Sequence, residues 1–327
     1  MKVLRWMLLS FLVLAACEKG PKKKYKPQSL GAINTIAVVM DNNLWKGAVG
    51  DKIREHFAAP QIGLTWDEPR FSLEHMPPSV FTGTTRHRRA VLYVSRDSVT
   101  GAQVRDNLYA TPQKVGVIKA SSDSALISVI DTYADQIMDS IRQMEIHEAQ
   151  NRFLRSLSKE TILQDKFGIS LRLPSVYKVG KQEENFVWID REIQKGSMNI
   201  IAYEMPGNSF GNDSTLVSDI IAMRDSIGQR YIPGPDVPDK ITYMGTEKAF
   251  APAVFQTTID SLEAIEVRGI WEVVNYPMAG PFLTYIIDDP AHNRKMVLEG
   301  FTFAPATSKR DYMFELEAIL RTVKIRE

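Results

Sequence analysis

The sequence is poor in the residues that usually announce a chemistry. It holds one cysteine in 327 residues, Cys17. Neither an intramolecular disulfide nor a cysteine-built zinc cluster can form. The five histidines, His56, His75, His87, His147 and His292, are scattered, with no HExxH and no pair at i, i+4. No metal site is therefore predicted. A Walker loop and Gly-Xaa-Gly-Xaa-Xaa-Gly are both missing, and no serine reads as a nucleophile elbow. These absences favour a non-catalytic protein without a cofactor. Lys and Arg number 40 against 39 Asp and Glu. That balance leaves no basic field for nucleic acid.

What is present begins with an address. Lys2 and Arg5 precede an apolar run over residues 6–16, broken only by Ser10. A membrane span needs about 20 apolar residues, and this run has eleven. It reads as the apolar region of a secretory signal peptide, residues 1–16. Leu14-Ala15-Ala16-Cys17 resembles the lipobox of bacterial lipoproteins. The resemblance implies lipidation of the Cys17 thiol and cleavage just before it. Several acyl chains anchor stably where one holds marginally. Residues 17–32, with five lysines between Lys19 and Lys26, read as a basic flexible tether. The implied location is the cell envelope, at the outer membrane and facing the periplasm, because lysines follow Cys17 instead of an acidic stretch.

With 44% hydrophobic and 24% charged residues, the body has ordinary globular usage. Ile33–Met40, Ala90–Val94 and Lys114–Ile118 predict strands of the first half. Trp45, Val49, Ile53 and Phe57 recur at steps of four and predict a helix. A long helix follows Ser122, with the stripe Ile127, Ile130, Ala134, Ile137, Ile141 and Met144. The second half reads as strands around Phe167–Leu173, Phe186–Ile189 and Met198–Tyr203. A helix over Leu216–Tyr231 and three strands over Ala264–Val273, Phe282–Ile287 and Met296–Phe303 come next. A closing helix has Ser308 and Asp311 as its capping box. Strands in runs with few helices between them predict an α+β fold. The reading is two α/β-sandwich-like domains, 33–158 and 159–327, with mainly antiparallel sheets covered by amphipathic helices.

The C-terminal half carries further motifs. They are Arg224-Asp225-Ser226, Tyr231–Pro235, Arg268–Trp271, Met278–Phe282 and Gly300–Pro305 with Lys309-Arg310. Together with the lipobox they resemble bacterial lipoproteins of domain-of-unknown-function family 4837. The family name implies class and location and no catalytic residue. The strand-rich order of this half is also loosely similar to the Mog1/PsbP-like fold, an analogy that carries no function.

The polar residues singled out are Arg224, Asp225, Arg268, Trp271, Asp288, Lys309 and Arg310, as a ligand-binding or structural cluster. Arg268 lies inside an apolar strand and needs a carboxylate, with Asp225 the first candidate. Asp131, Asp135 and Asp139 share one face of the long helix, as a solvated face or a docking stripe. Arg86-His87-Arg88-Arg89 reads as a solvated loop or strand edge. Trp188 and Trp271 read as core. The predicted function is an envelope lipoprotein that binds or scaffolds an envelope protein or a small ligand. A lipid carrier and an enzyme with an unfamiliar Arg/Asp site are the alternatives.

Overall fold

The structure is a computed structural model describing residues 25–64 and 67–326. The signal peptide, Cys17 and Lys22–Lys24 lie outside the described residues. The chain is α+β, with one sheet in each half. It is held to the first half from Pro27 onward. Thr111 N–H donates to Pro27 O, and Ser29 and Leu30 donate to Thr111 O and His87 O. The end of the expected tether is therefore paired backbone.

The first sheet has strands β1 (Thr35–Val39), β2 (Ser72–Met76), β3 (Ala90–Arg96), β4 (Gly101–Asp106) and β5 (Lys114–Ala120). Their order is β2-β1-β3-β5-β4. Helices α1 (Asn42–Lys46) and α2 (Ala48–Phe57) link β1 to β2. The long helix is α3 (Asp123–Phe153), and the Ser122 hydroxyl accepts Ala125 N–H at 3.2 Å as its cap. Its 31 residues span about 46 Å at 1.5 Å per residue. Ile36, Leu92 and Ile118 pack against Ile130, Ile137 and Ile141 of α3. Each such fully buried aliphatic side chain is worth roughly 1.5–3 kcal/mol.

The first sheet departs from the antiparallel expectation. β1 pairs with β2 and β3 in parallel, and β3 pairs with β5 in parallel. Only the edge strand β4 is antiparallel. The physical reason lies in the connectors. Two short 3-10 turns, Pro78–Val80 and Gly83–His87, join β2 to β3, so no 3.6-residue period marks that crossover. The continuous apolar run of β1 was the available signal, because parallel strands are buried on both faces. Phe81 covers the second face, against Val39, Val91 and Val115.

The second half opens with α4 (Ile162–Phe167), β6 (Ile169–Ser170), β7 (Lys178–Glu183), β8 (Phe186–Ile193) and β9 (Gly196–Pro206). Helix α5 (Leu216–Tyr231) and strands β10 (Met244–Thr246) and β11 (Ala253–Ile259) follow. Then come β12 (Leu262–Val273), β13 (Tyr276–Asp289), β14 (Arg294–Phe303), α6 (Arg310–Leu320) and β15 (Lys324–Ile325). Eight strands form one antiparallel sheet, ordered β10-β12-β13-β14-β9-β8-β7, with β11 also on β12. α6 covers one face through Leu316, Ile319 and Leu320, and α5 covers the other through Ile220 and Met223.

α6 is buried on two sides. Its outer face, Phe314 and Ala318, packs on Ile146 and Ala149 of α3. A helix apolar nearly all round is a helix enclosed by its neighbours. Its N-terminus is closed from the first half. The Glu68 carboxylate accepts from Lys309 N at 2.8 Å, from Arg310 N at 2.8 Å and from the Ser308 hydroxyl. That carboxylate replaces the expected Ser308/Asp311 capping box and complements the helix dipole.

Candidate functional site

A cleft of about 410 Å³ opens along the seam between the two halves. The first half supplies Arg70, and α3 supplies Asp135, Asp139 and Arg142. The second half supplies Glu266 and Arg268 from β12, while Ile62 and Phe255 stand at the mouth, each 42% exposed. The loop Gln61–Leu64 lies directly on β12. Gly63 has φ +82°, and a Cβ there would stand 2.8 Å from the Arg268 Cβ. Only glycine meets both the left-handed turn and that approach.

The floor is a closed ionic network. Arg268 donates to Glu266 Oε1 at 2.6 Å and to Glu317 Oε2 at 2.7 Å. Arg142 reaches across from α3 to Glu317 Oε2. Arg321 donates to Glu317 Oε1 at 3.1 Å and to Glu266 Oε2 at 2.9 Å. The Tyr285 hydroxyl donates to Glu266 Oε2 at 3.0 Å. Glu317 is 1% exposed. Burial works against its charge, but Arg142, Arg268 and Arg321 outweigh it and hold the carboxyl well below the usual carboxylate range. Burial also opposes the Arg268 charge, and Glu317 and Glu266 more than offset it. These groups stay ionised through the neutral range, so they hold shape and field and exchange no proton there.

The walls differ from the floor. Arg70, Asp135 and Asp139 have no hydrogen-bond or ion-pair partner among the described residues. Asp131, one turn earlier on the same helix face, is held by His56 at 2.8 Å and Lys52 at 3.3 Å. The aspartate stripe is thus divided between a clamp on α2 and two free carboxylates at the cleft. Free charges of both signs over a neutralised floor suit a ligand that carries both signs.

The sequence-predicted cluster does not assemble as one site. Arg268 lines the cleft, and its partners are Glu266 and Glu317, not Asp225. Arg310 lies next to the cleft, donating to Pro69 O at 3.0 Å and the Ser72 hydroxyl at 3.2 Å. Lys309 is buried, with Nζ on Thr307 O at 2.9 Å. Arg224, Asp225 and Trp271 belong to the α5 side of the sheet. Arg224 pairs with Glu299, the Asp225 carboxylate accepts Thr246 N–H at 2.7 Å, and Trp271 is core. Asp288 is remote, paired with Lys295 at 3.2 Å. The basic run Arg86–Arg89 is not simply solvated, because Arg89 is buried and pairs with Glu145 of α3 at 2.7 Å.

One Gly-Xaa-Ser-Xaa-Gly run does occur, Gly207-Asn208-Ser209-Phe210-Gly211, in the turn after β9. Ser209 has no hydrogen bond to a histidine among the described residues. The nearby His292 ring instead binds Asp289 at 2.9 Å. Sequence reasoning missed Glu317, Glu266, Arg142 and Arg70. Of these, only Glu266 carried a usable signal, two residues before Arg268 on the same face of one strand.

A family model described as Domain of unknown function (DUF4837) matches residues 156–322. A second, Domain of unknown function (DUF8532), matches residues 29–154. No curated protein matches. A crystal structure from Bacteroides thetaiotaomicron VPI-5482 is 12% identical, with a TM-score of 0.27. That match covers 49% of this chain and spans 45% of the other chain.

Proposed function

The chain belongs to the DUF4837 family, whose name carries no reaction, and on that premise we propose a function from the leader and the seam cleft alone. The protein is a lipid-anchored, non-catalytic binding protein of the bacterial envelope, held at the outer membrane and facing the periplasm. Its cleft takes a small ligand bearing both charge signs, such as a short peptide with free termini. The observation that carries this reading is the pairing of one free arginine, Arg70, with two free aspartates, Asp135 and Asp139, in one cavity. A fixed charged floor favours such a ligand over an acyl chain, which needs an apolar lining. It also favours binding over proton-transfer chemistry, because Glu317 and Arg268 are both pushed away from neutrality.

Two outcomes test the two parts. Cys17→Ser is expected to leave the precursor uncleaved or to release the protein from the membrane fraction. A variant that still matures and sediments with membranes would contradict the anchor. For the cleft, triglycine is expected to raise the melting temperature, because a ligand bound only by the folded state stabilises it. N-acetyl-triglycine and triglycinamide, each lacking one charge, are expected to do so far less. Equal shifts with all three peptides would remove the two-sign reading.

A further inference from the structure

Away from the seam, part of the eight-stranded sheet is covered by neither of its helices. α5 ends at Tyr231, and beyond it the face of β8 and β9 forms an open depression of about 620 Å³. Trp188, Asp190 and Glu192 line it in a row, because alternate residues of β8 share one face. Lys181 of β7, with Ser197 and Asn199 of β9, borders the row.

Each group is fixed or left free by what surrounds it. The Trp188 indole N–H donates to Asn199 Oδ1 at 3.0 Å, and the Asn199 amide donates to the Ser197 hydroxyl at 3.0 Å. The indole therefore has its polar atom satisfied and its ring orientation set. The ring leans on Phe301, centroids 6.1 Å apart at 52°. Asp190 has no hydrogen-bond or ion-pair partner among the described residues. A bulge in β7 between Val179 and Lys181 makes room for it. A Cβ at Gly180 would stand 2.6 Å from Asp190 Oδ1, so the glycine keeps that space open. Partial burial, and then Glu192, push the Asp190 carboxyl above the ordinary aspartate range.

The composition of the depression selects a chemistry. Tyr231 also borders it, but its ring is occupied. It stacks on Phe186 at 4.4 Å and 9°, with Arg230 4.9 Å and Lys181 5.7 Å from its centroid. That leaves one aromatic platform, one free carboxylate, a second carboxylate and an ammonium. A quaternary-ammonium cage needs open rings and tolerates no resident cation. A sugar ring offers one apolar C–H face and a rim of hydroxyls that both donate and accept. Donors and acceptors fixed around an aromatic face match it, and most of them are already positioned.

We propose that this depression is a carbohydrate-binding site, with a pyranose ring laid on Trp188 and its hydroxyls bonded to Asp190 and Lys181. The site stands on its own residues and is independent of the seam cleft.

The test is a titration of the protein with chitotetraose, cellotetraose and maltotetraose, read on the indole N–H resonance of Trp188, which Trp188→Phe assigns. At least one sugar is expected to shift that resonance saturably. Trp188→Ala should weaken the response at least about tenfold, the usual scale for an anchoring aromatic. Asp190→Asn, which breaks no existing bond, should weaken it severalfold while leaving the melting temperature unchanged. It therefore carries the test if Trp188→Ala does not fold. Trp271→Phe, in the covered part of the same face, should leave binding unchanged. The proposal is overturned if none of the three sugars moves the Trp188 resonance. It is equally overturned if Asp190→Asn titrates like the parent, or if choline chloride saturates the site while the sugars do not.

Discussion

Glu299→Ala is expected to cost about 3–5 kcal/mol, the range for removing one partner of a buried ion pair. Glu299 lies on the central strand β14 and accepts two bonds from Arg224, at 2.8 and 2.7 Å. The Thr284 hydroxyl adds a third at 2.7 Å. Arg224 is buried, bonded to the Thr246 hydroxyl at 2.6 Å, with its guanidinium carbon 3.4 Å from the Phe282 ring centroid. Without Glu299 it would keep its charge and lose its counter-ion. A typical domain is stable by about 5–15 kcal/mol, so the variant should be largely destabilised or unfolded. The double variant Arg224→Leu/Glu299→Leu should lose less than Glu299→Ala does, because an apolar pair can replace a buried ionic one. Denaturant unfolding measures both. A double variant that is the worse of the two would mean that the pair contributes net stability beyond its mutual neutralisation.

Glu317→Gln is the second large effect, and it joins the halves. It removes the charge facing Arg142, Arg268 and Arg321 and leaves Glu266 alone among three arginines. The expected loss at pH 7 is again about 3–5 kcal/mol. Its pH dependence has a definite sign. The folded-state pKa of Glu317 lies below the model value of 4.5. Its contribution is therefore complete above that value and fades as pH falls toward the folded pKa. The gap between parent and variant should shrink steadily below about pH 4.5. A gap that is flat down to the acid transition would mean that the carboxylate is not what the arginines hold. In a double-mutant cycle, Arg268→Ala should couple to Glu317→Ala and add independently to Asp225→Ala.

What could be read from the sequence and what could not differ for a physical reason. The helix over Asp123–Phe153 and the strand run Leu262–Phe303 were legible because their period and caps are local. That Arg268 needs a carboxylate was legible too, since an arginine between Val267 and Gly269 in an apolar strand cannot be buried alone. Its partner was not legible. Glu317 sits on α6 away from the stripe Leu316, Ile319, Leu320 and Val323, where a carboxylate normally meets water. It is buried because α3, from the other half, lies over it, and no periodicity within α6 reports that. The same holds for Glu68, which caps α6 from some 240 residues away in sequence. The parallel pairing in the first sheet was obscured by 3-10 connectors. Trp188 was read as core from the run Phe186–Ile189. It borders an open depression because α5 stops at Tyr231, a terminus that affects β8 only in three dimensions.

The account rests on the seam cleft as a binding site for a ligand of both charge signs, and calorimetric titration with triglycine tests that claim most directly. The parent protein should give saturable heat. Arg70→Gln and Asp135→Asn/Asp139→Asn should each weaken binding about tenfold or more, the scale of one lost charge-assisted contact. Their melting temperatures should stay at the parent value, because none of the three side chains has a partner to lose. Absence of saturable heat in the parent, or equal affinity in the parent and both variants, would contradict the account.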